Sequence, residues 1–384
     1  MADHHCDVVV IGAGIIGAST AYHLAKRGLN VTVVESFAGP AQGSTGLSFS
    51  SIRGQWADDM NIELSWRSLL AFRSFPDEHG IDVGYRPSGY LFLVPRERWD
   101  THLAGVELQR RQGVPVDILD VDAAQQITPF NPDGIAGATW GPADGVVDGH
   151  SVASAYLGLA RELGSTVLYG HPVTAIEQHD TTQRWTITTP HCTIDAQHIV
   201  NAAGGWSADV AALAGLRVPV VHSKRNIFAT APGATSHELP MTIDVATGAY
   251  LRSEGPRLLL GGARPDQPDG YDLTVDWDWM ETVFQLALPR FPWLEDVPID
   301  RTACWAGTYE NTPDHQGILG PDPTATTWIN ACGFSGHGLM QGPEIGRLVA
   351  EHVVDGAITS IDISALCLER FAVPNQSTNL GMVF

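Results

Sequence analysis

Residues 8–11 form an unbroken apolar run rich in β-branched side chains, the pattern of a strand buried on both faces of a parallel sheet. Residues 15–27 then read as a helix that stops at Gly28, a residue suited to a left-handed cap, and residues 31–34 return as a second buried strand. Together they predict a βαβ unit. The same style recurs far downstream, with helices near 151–163 and 345–354 and strands near 166–169 and 198–202. Between these, residues 89–94, 220–229 and 249–261 read as strands separated by Gly/Pro-rich turns. The expected fold is α/β, with one domain assembled from discontinuous segments and a mixed-sheet α+β domain inserted between them.

A chain of 384 residues with 44% hydrophobic content buries a core large enough for one large or two ordinary domains. Its formal charge of -21, with Lys26 and Lys224 the only lysines, repels phosphate backbones and anionic lipid, so nucleic acid is not an expected partner. Cys6, Cys192, Cys304, Cys332 and Cys367 are scattered and form no C-x-x-C pair, which argues against a disulfide framework, a zinc site or an iron–sulfur cluster. No metal is expected. The polar start has no signal-peptide pattern, and the apolar run 8–18 is short and broken by glycines, so the expectation is a cytoplasmic protein with no membrane span.

The sharpest local signal is Gly12-Ala-Gly14-Ile-Ile-Gly17 after a strand and opening a helix, with Glu35 at the end of the second strand. Gly12 permits the tight turn, Gly14 lets backbone amides approach a pyrophosphate, and Gly17 allows close helix–strand packing. The helix N-terminus favours phosphate charge, and Glu35 is placed to accept from ribose hydroxyls. This is a Rossmann-like fingerprint for an adenine dinucleotide. Cofactor-like elements return near Asn201 and again near Gly333, as if the chain revisits one long ligand, which favours FAD over a nicotinamide cofactor. No second fingerprint follows another strand, which disfavours a flavin enzyme that also takes electrons from NAD(P)H at a second Rossmann domain.

Four segments carry a wider resemblance: the fingerprint, Gly43-Ser-Thr-Gly-Leu-Ser-Phe-Ser-Ser-Ile-Arg-Gly-Gln55, Trp305-Ala-Gly-Thr-Tyr-Glu-Asn-Thr-Pro-Asp314, and Gly333-Phe-Ser-Gly-His-Gly338. Their order and spacing resemble the D-amino-acid-oxidase-type FAD-dependent oxidoreductase superfamily, in the branch of sarcosine oxidase, glycine oxidase, dimethylglycine dehydrogenase and the proline dehydrogenase β subunit. The resemblance implies a glutathione-reductase-type, sarcosine-oxidase-like fold, with residues 1–84, 144–218 and 308–384 binding FAD and residues 85–143 and 219–307 binding substrate. It implies cofactor contacts from Gly12, Gly14, Ile15, Ile16, Gly17, Glu35, Ser36, Ser44, Thr45, Gly46, Ser51, Arg53, Val173, Ala202, Gly204, Trp206, Gly307, Gly333, Gly336, His337, Gly338, Leu339 and Met340. Pro343 suits the first turn of a following helix, whose N-terminus would then face the flavin.

The chain also departs from that pattern. Monomeric sarcosine oxidases tether the flavin through a cysteine where this chain has Gly307, and Cys304 lies at an odd strand offset from it, so FAD is expected to be noncovalent. Two lysines of those oxidases fall at Met340 and near Tyr250, which leaves the electron acceptor, oxygen or another, open. The implied reaction is oxidation of a small amine, a secondary or N-methyl amino acid, by hydride transfer to flavin, giving an imine that hydrolyses. Arg53 and Arg252 are candidates for the substrate carboxylate, because a guanidinium fork binds both oxygens. Tyr250, Tyr309 and Trp56 are candidate pocket walls, Arg225 sits on a strand expected near the flavin, and His337 is a candidate base or flavin-packing residue. A 2-hydroxy acid as substrate, or a role as the FAD-bearing subunit of a heteromeric complex, are the competing readings; a homo- or hetero-oligomer fits either.

Overall fold

The computed structural model describes residues 2–179 and 183–372; Met1 and the end of the expected 308–384 segment lie outside it. Two eight-stranded sheets organise the chain. In the first, His4–Ile11 lies at the centre and pairs in parallel with Val31–Val34 on one side and Thr193–Asn201 on the other. Thr166–Leu168 and Ala325–Cys332 extend it, also in parallel, and Ile318–Asp322 closes one edge antiparallel. Val8, Val9 and Val10 are fully buried, as a strand covered on both faces requires.

The first helix, Ile15–Lys26, packs between that sheet, Gly149–Glu162 and Gly338–Asp355. Glycine makes both approaches possible. A Cβ on Gly17 would lie 2.0 Å from the Gly12 carbonyl oxygen, and one on Gly346 would lie 2.5 Å from the Ser19 carbonyl carbon. The helix ends as expected at Gly28, with φ +86°. The last helix starts at Gly338, so Pro343 occupies its second turn and not its first. The Pro343 carbonyl accepts a hydrogen bond from Ser19 Oγ at 3.2 Å, tying the two helices together there.

The second sheet is mixed and runs Trp305–Asn311, Val221–Ala229, Arg257–Gly262, Ala249–Glu254, Met241–Asp244, Tyr90–Pro95, Ile135–Gly141, Asp117–Leu119. The 249–261 stretch is two strands, because Gly255-Pro256 forms the turn of a hairpin in register at Glu254 and Arg257. Trp305–Asn311 is one continuous strand of this sheet, so a two-lobe division drawn by sheet membership places it whole with the second lobe. We propose that division. Asp59–His79 is a further long helix, capped by the Asp58 carboxylate and stopped at left-handed Gly80; its buried Ile62, Leu69 and Phe72 stand at helical spacing.

Candidate functional site

A cavity of about 450 Å³ runs along the C-terminal ends of the parallel strands. Gly12, Gly14, Ile15, Ile16, Glu35, Ser36, Ser44, Thr45, Val173, Ala202, Gly204, Trp206, Gly336, Gly338 and Leu339 all line it, so residues from six separate stretches of sequence meet at one surface. At one end the Glu35 carboxylate is already ordered: it accepts from the Ala13 amide at 2.7 Å, the Phe37 amide at 2.9 Å and the Ser36 hydroxyl at 3.1 Å. The first helix has no capping side chain on Gly14, and Thr45 Oγ1 accepts from the Ile15 amide at 3.1 Å. Ser44, which lines the same cavity, has its Oγ buried without a hydrogen-bond partner among the described residues.

A second chamber of about 70 Å³ adjoins the first, and the two share Ser48, Tyr309, Gly336 and Leu339. Its walls include Phe49, Ser51, Arg53, Tyr90, Met241, Ile243, Tyr250, His337 and Met340. Strand register explains much of this. Met241 pairs with Tyr90 and Ile243 with Tyr250, so with a two-residue period these side chains share one face of the second sheet. The backbone of the arginine-bearing loop is fixed by pairing of Ser51 with Val146 and Ile52 with Gly145. Asp144 Oδ1 accepts the Gly54 amide at 2.7 Å, and Asp144 Oδ2 accepts Gln55 Nε2 at 2.9 Å.

Arg53 is the cation of this chamber. It is 5% exposed, its guanidinium lies 4.1 Å from the Trp56 ring centroid and 5.2 Å from that of Phe92, and its Nε is buried with no acceptor. It makes no ion pair or hydrogen bond among the described residues. Trp56 therefore stands behind Arg53, not in the wall. Arg252 is committed elsewhere: its guanidinium donates to the Phe49 carbonyl at 2.8 Å and pairs with Glu254, and it lines neither cavity. Arg225 lies 4.5 Å over the Tyr309 ring while donating to Ser223 Oγ and the Lys224 carbonyl.

His337 is buried edge-on against Trp56, with ring centroids 4.4 Å apart; burial, and then the Arg53 charge, push its imidazole down to about 3, so it is neutral at pH 7. Burial raises the Tyr90 phenol to about 12 and that of Tyr250 further still, so both stay protonated. Burial also raises Asp144 to about 7 against the pull of its amide donors.

Four expected cofactor residues lie outside both linings and act through backbone packing. Gly17 meets Gly12, a Cβ on Gly46 would lie 2.1 Å from the Ala41 carbonyl oxygen, and one on Gly307 would lie 2.8 Å from that of Leu47. Gly333 donates its amide to Glu310 Oε2 at 3.2 Å. Sequence reasoning assigned no role to Glu310, a buried carboxyl in the large cavity raised by burial to about 7, nor to Tyr90, Met241 and Ile243. Glu310 adjoins Tyr309 in the Trp305–Asp314 motif and both line the large cavity, but one sequence carries no sign of the remote Gly333 amide that the Glu310 carboxyl accepts. Among the described residues no cluster could hold a metal ion, and no helix is long and apolar enough to cross a membrane.

The family profile described as DAO, FAD dependent oxidoreductase, matches residues 7–352. The chain is 31% identical to FAD-dependent oxidoreductase domain-containing protein 1 of Xenopus laevis, over 95% of this chain and 82% of that protein. It is 28% identical to the mitochondrial sarcosine dehydrogenase of Homo sapiens, over 91% of this chain but 40% of that longer protein. Among solved structures, L-proline dehydrogenase from P. horikoshii superposes with a TM-score of 0.89 at 30% identity, covering 96% of this chain and 98% of the other.

Proposed function

Starting from the fact that this chain belongs to the DAO family of FAD dependent oxidoreductases, we propose that it oxidises the C–N bond of a small secondary or N-methyl amino acid held beside Arg53. FAD, when bound, supplies the two-electron acceptor for hydride leaving the carbon next to nitrogen. The residues fit that cofactor: Gly12 and Gly14 leave backbone open to a pyrophosphate, Ser44 Oγ lacks a partner, and Glu35 holds its carboxylate at the ribose end of the cavity.

One observation carries the substrate reading. Arg53 is a buried guanidinium that makes no ion pair or hydrogen bond among the described residues, in a chamber walled by Tyr90, Met241, Ile243 and Tyr250 together with Ser48, Ser50 and Ser51, which adjoins the cofactor cavity. A substrate carboxylate supplies the missing acceptors, and a buried charge is tolerable only when so paired. The amine must lose its proton before reaction, which costs about 4 kcal/mol for a pKa near 10 at pH 7. Desolvation in the chamber disfavours the ammonium. His337, held neutral at about 3, and the protonated Tyr90 and Tyr250 are poor bases, and we propose that the amine gives up its proton to solvent as it enters the chamber. The relatives named sarcosine dehydrogenase and L-proline dehydrogenase support this substrate class.

Anaerobic addition of N-methyl, cyclic and primary amino acids and of 2-hydroxy acids tests the proposal directly. Bleaching of the yellow flavin by a secondary or N-methyl amino acid is expected; bleaching by hydroxy acids alone overturns it. We further propose that FAD is noncovalent, since Gly307 has no side chain and Cys304 Sγ is taken up by the Ala229 amide at 3.3 Å. Acid precipitation should leave the yellow colour in the supernatant, and a yellow pellet refutes this. Met340 and Tyr250 line the chamber, and by the family resemblance the two lysines of related oxidases fall at Met340 and near Tyr250, which supports electron delivery at least partly to an acceptor other than oxygen.

A further inference from the structure

Glu310 lies on Trp305–Asn311 and reaches the cofactor cavity as a buried carboxyl. Its two ends grip one loop. The side chain accepts from the Gly333 amide at 3.2 Å and from the Phe334 backbone, while its own carbonyl accepts from the Ser335 amide at 3.0 Å. The gripped loop is unusual in its backbone: Gly333, Ser335 and Gly336 have φ of +73°, +50° and +91°. Ahead of it starts the helix Gly338–Asp355. A Cβ on Gly338 would lie 3.4 Å from Glu310 Oε1 and one on Gly204 3.6 Å from Oε2, so the carboxyl fills the gap between that helix start and the turn at Gly204–Trp206.

No Lys or Arg pairs with Glu310 among the described residues. Of the charged groups on the paired strand, Lys224 is taken up by Asp272 at 2.6 Å and Arg225 by Ser223 Oγ, the Lys224 carbonyl and the Tyr309 ring. The titratable groups nearer Glu310 are His222, in register with it on that strand, Cys332 at the end of the neighbouring strand, His337 on the gripped loop, and Asp209 in the same cavity. Burial holds both histidines below their ordinary range and the thiol above its own, so none of them brings a positive charge at pH 7 to 9.

We propose that Glu310 is a cofactor-holding residue whose proton state governs how tightly FAD is retained. The loop amides donate to it in either state, but as a neutral acid it leaves the helix start uncompensated, favourable to the dianionic cofactor. As a carboxylate it adds negative charge to the cavity that takes the anionic cofactor and neutralises the helix end. Without cofactor the group titrates at about 7, raised by burial. Adding a dianion and removing water raise it further, so FAD binds the protonated form better. Linkage then requires affinity to be full below about 7 and to fall as pH rises through that value, by up to about tenfold per pH unit, until the bound-state value is reached.

The test is the dissociation constant of FAD for apoprotein between pH 6 and 9, read from quenching of flavin fluorescence, for wild type and Glu310→Gln. Wild type should weaken progressively above pH 7, and Glu310→Gln should bind as wild type does at pH 6 and stay flat. A flat wild-type profile, or a Glu310→Gln profile that keeps the wild-type slope, overturns the proposal. Should the variant not fold, calorimetric titration of wild-type apoprotein with FAD at pH 8, in buffers of different ionisation enthalpy, counts the protons taken up. An uptake approaching one proton per FAD upholds the proposal, and none overturns it.

Discussion

Replacing Arg53 by Met tests the central element of the functional reading. The guanidinium is 5% exposed and lines the small chamber, and without substrate it has neither ion pair nor hydrogen bond among the described residues. A carboxylate bound there gains charge-assisted hydrogen bonds worth about 1.5–3 kcal/mol each, and removing the cation leaves that anion desolvated against Tyr90, Met241 and Ile243. A net loss of about 2–4 kcal/mol corresponds to a fall of roughly 30- to 900-fold in kcat/KM. Because the carboxylate is held equally before and during reaction, the loss should fall mostly on KM. Stability should move the other way. Met keeps much of the side-chain volume against Trp56 and Phe92 while removing a buried unpaired charge, so Tm should stay level or rise. The assay compares an amino-acid substrate with its amide in steady-state kinetics, alongside thermal unfolding of both proteins. Wild type should prefer the acid strongly and Arg53→Met should not. A variant that keeps the acid-over-amide preference refutes the assignment, and one with a sharply lower Tm shows that Arg53 is a structural residue.

Other outcomes follow from the packing and the titrating groups. Gly17→Ala places a methyl 2.0 Å from the Gly12 carbonyl oxygen, a strain of about 1–3 kcal/mol at the turn facing the pyrophosphate, so purified protein should show a much reduced ratio of flavin to protein absorbance. Asp144 has a folded-state value raised to about 7 from 3.8, so its contribution to stability is complete below about pH 4 and is lost as pH rises to about 7, on the order of 4 kcal/mol at most. Asp144→Asn should therefore flatten the decline in urea-unfolding free energy between pH 4 and 7, and an unchanged slope assigns that decline to other groups.

Much of the cofactor end was legible along the chain. Gly12, Gly14, Gly17 and Glu35 carry their roles locally, because a tight turn, a helix start and a strand end are set by neighbours in sequence, and backbone groups do the binding. The strands at 8–11 and 31–34 and the helix stop at Gly28 were equally readable from apolar runs and one left-handed glycine. Pro343 shows where local rules ended: a first-turn preference placed it in the opening turn, whereas the helix already starts at Gly338 and Pro343 packs against Ser19 from the second turn.

The substrate chamber was another matter. Arg53 and Arg252 looked alike as candidate clamps, and only the fold separates them, by giving Arg252 the Phe49 carbonyl and Glu254 and leaving Arg53 without an ion pair or hydrogen bond among the described residues. Tyr90, Met241 and Ile243 come together through pairing between strands far apart in sequence, and Glu310 turns into the cavity because a remote loop offers it amides. The sequence by itself determined the cofactor class, since that recognition is written in short-range backbone geometry. The tertiary structure alone decided which charges are paired and which are left to meet a ligand, because burial and partnership are set by chain segments that meet only in the folded state.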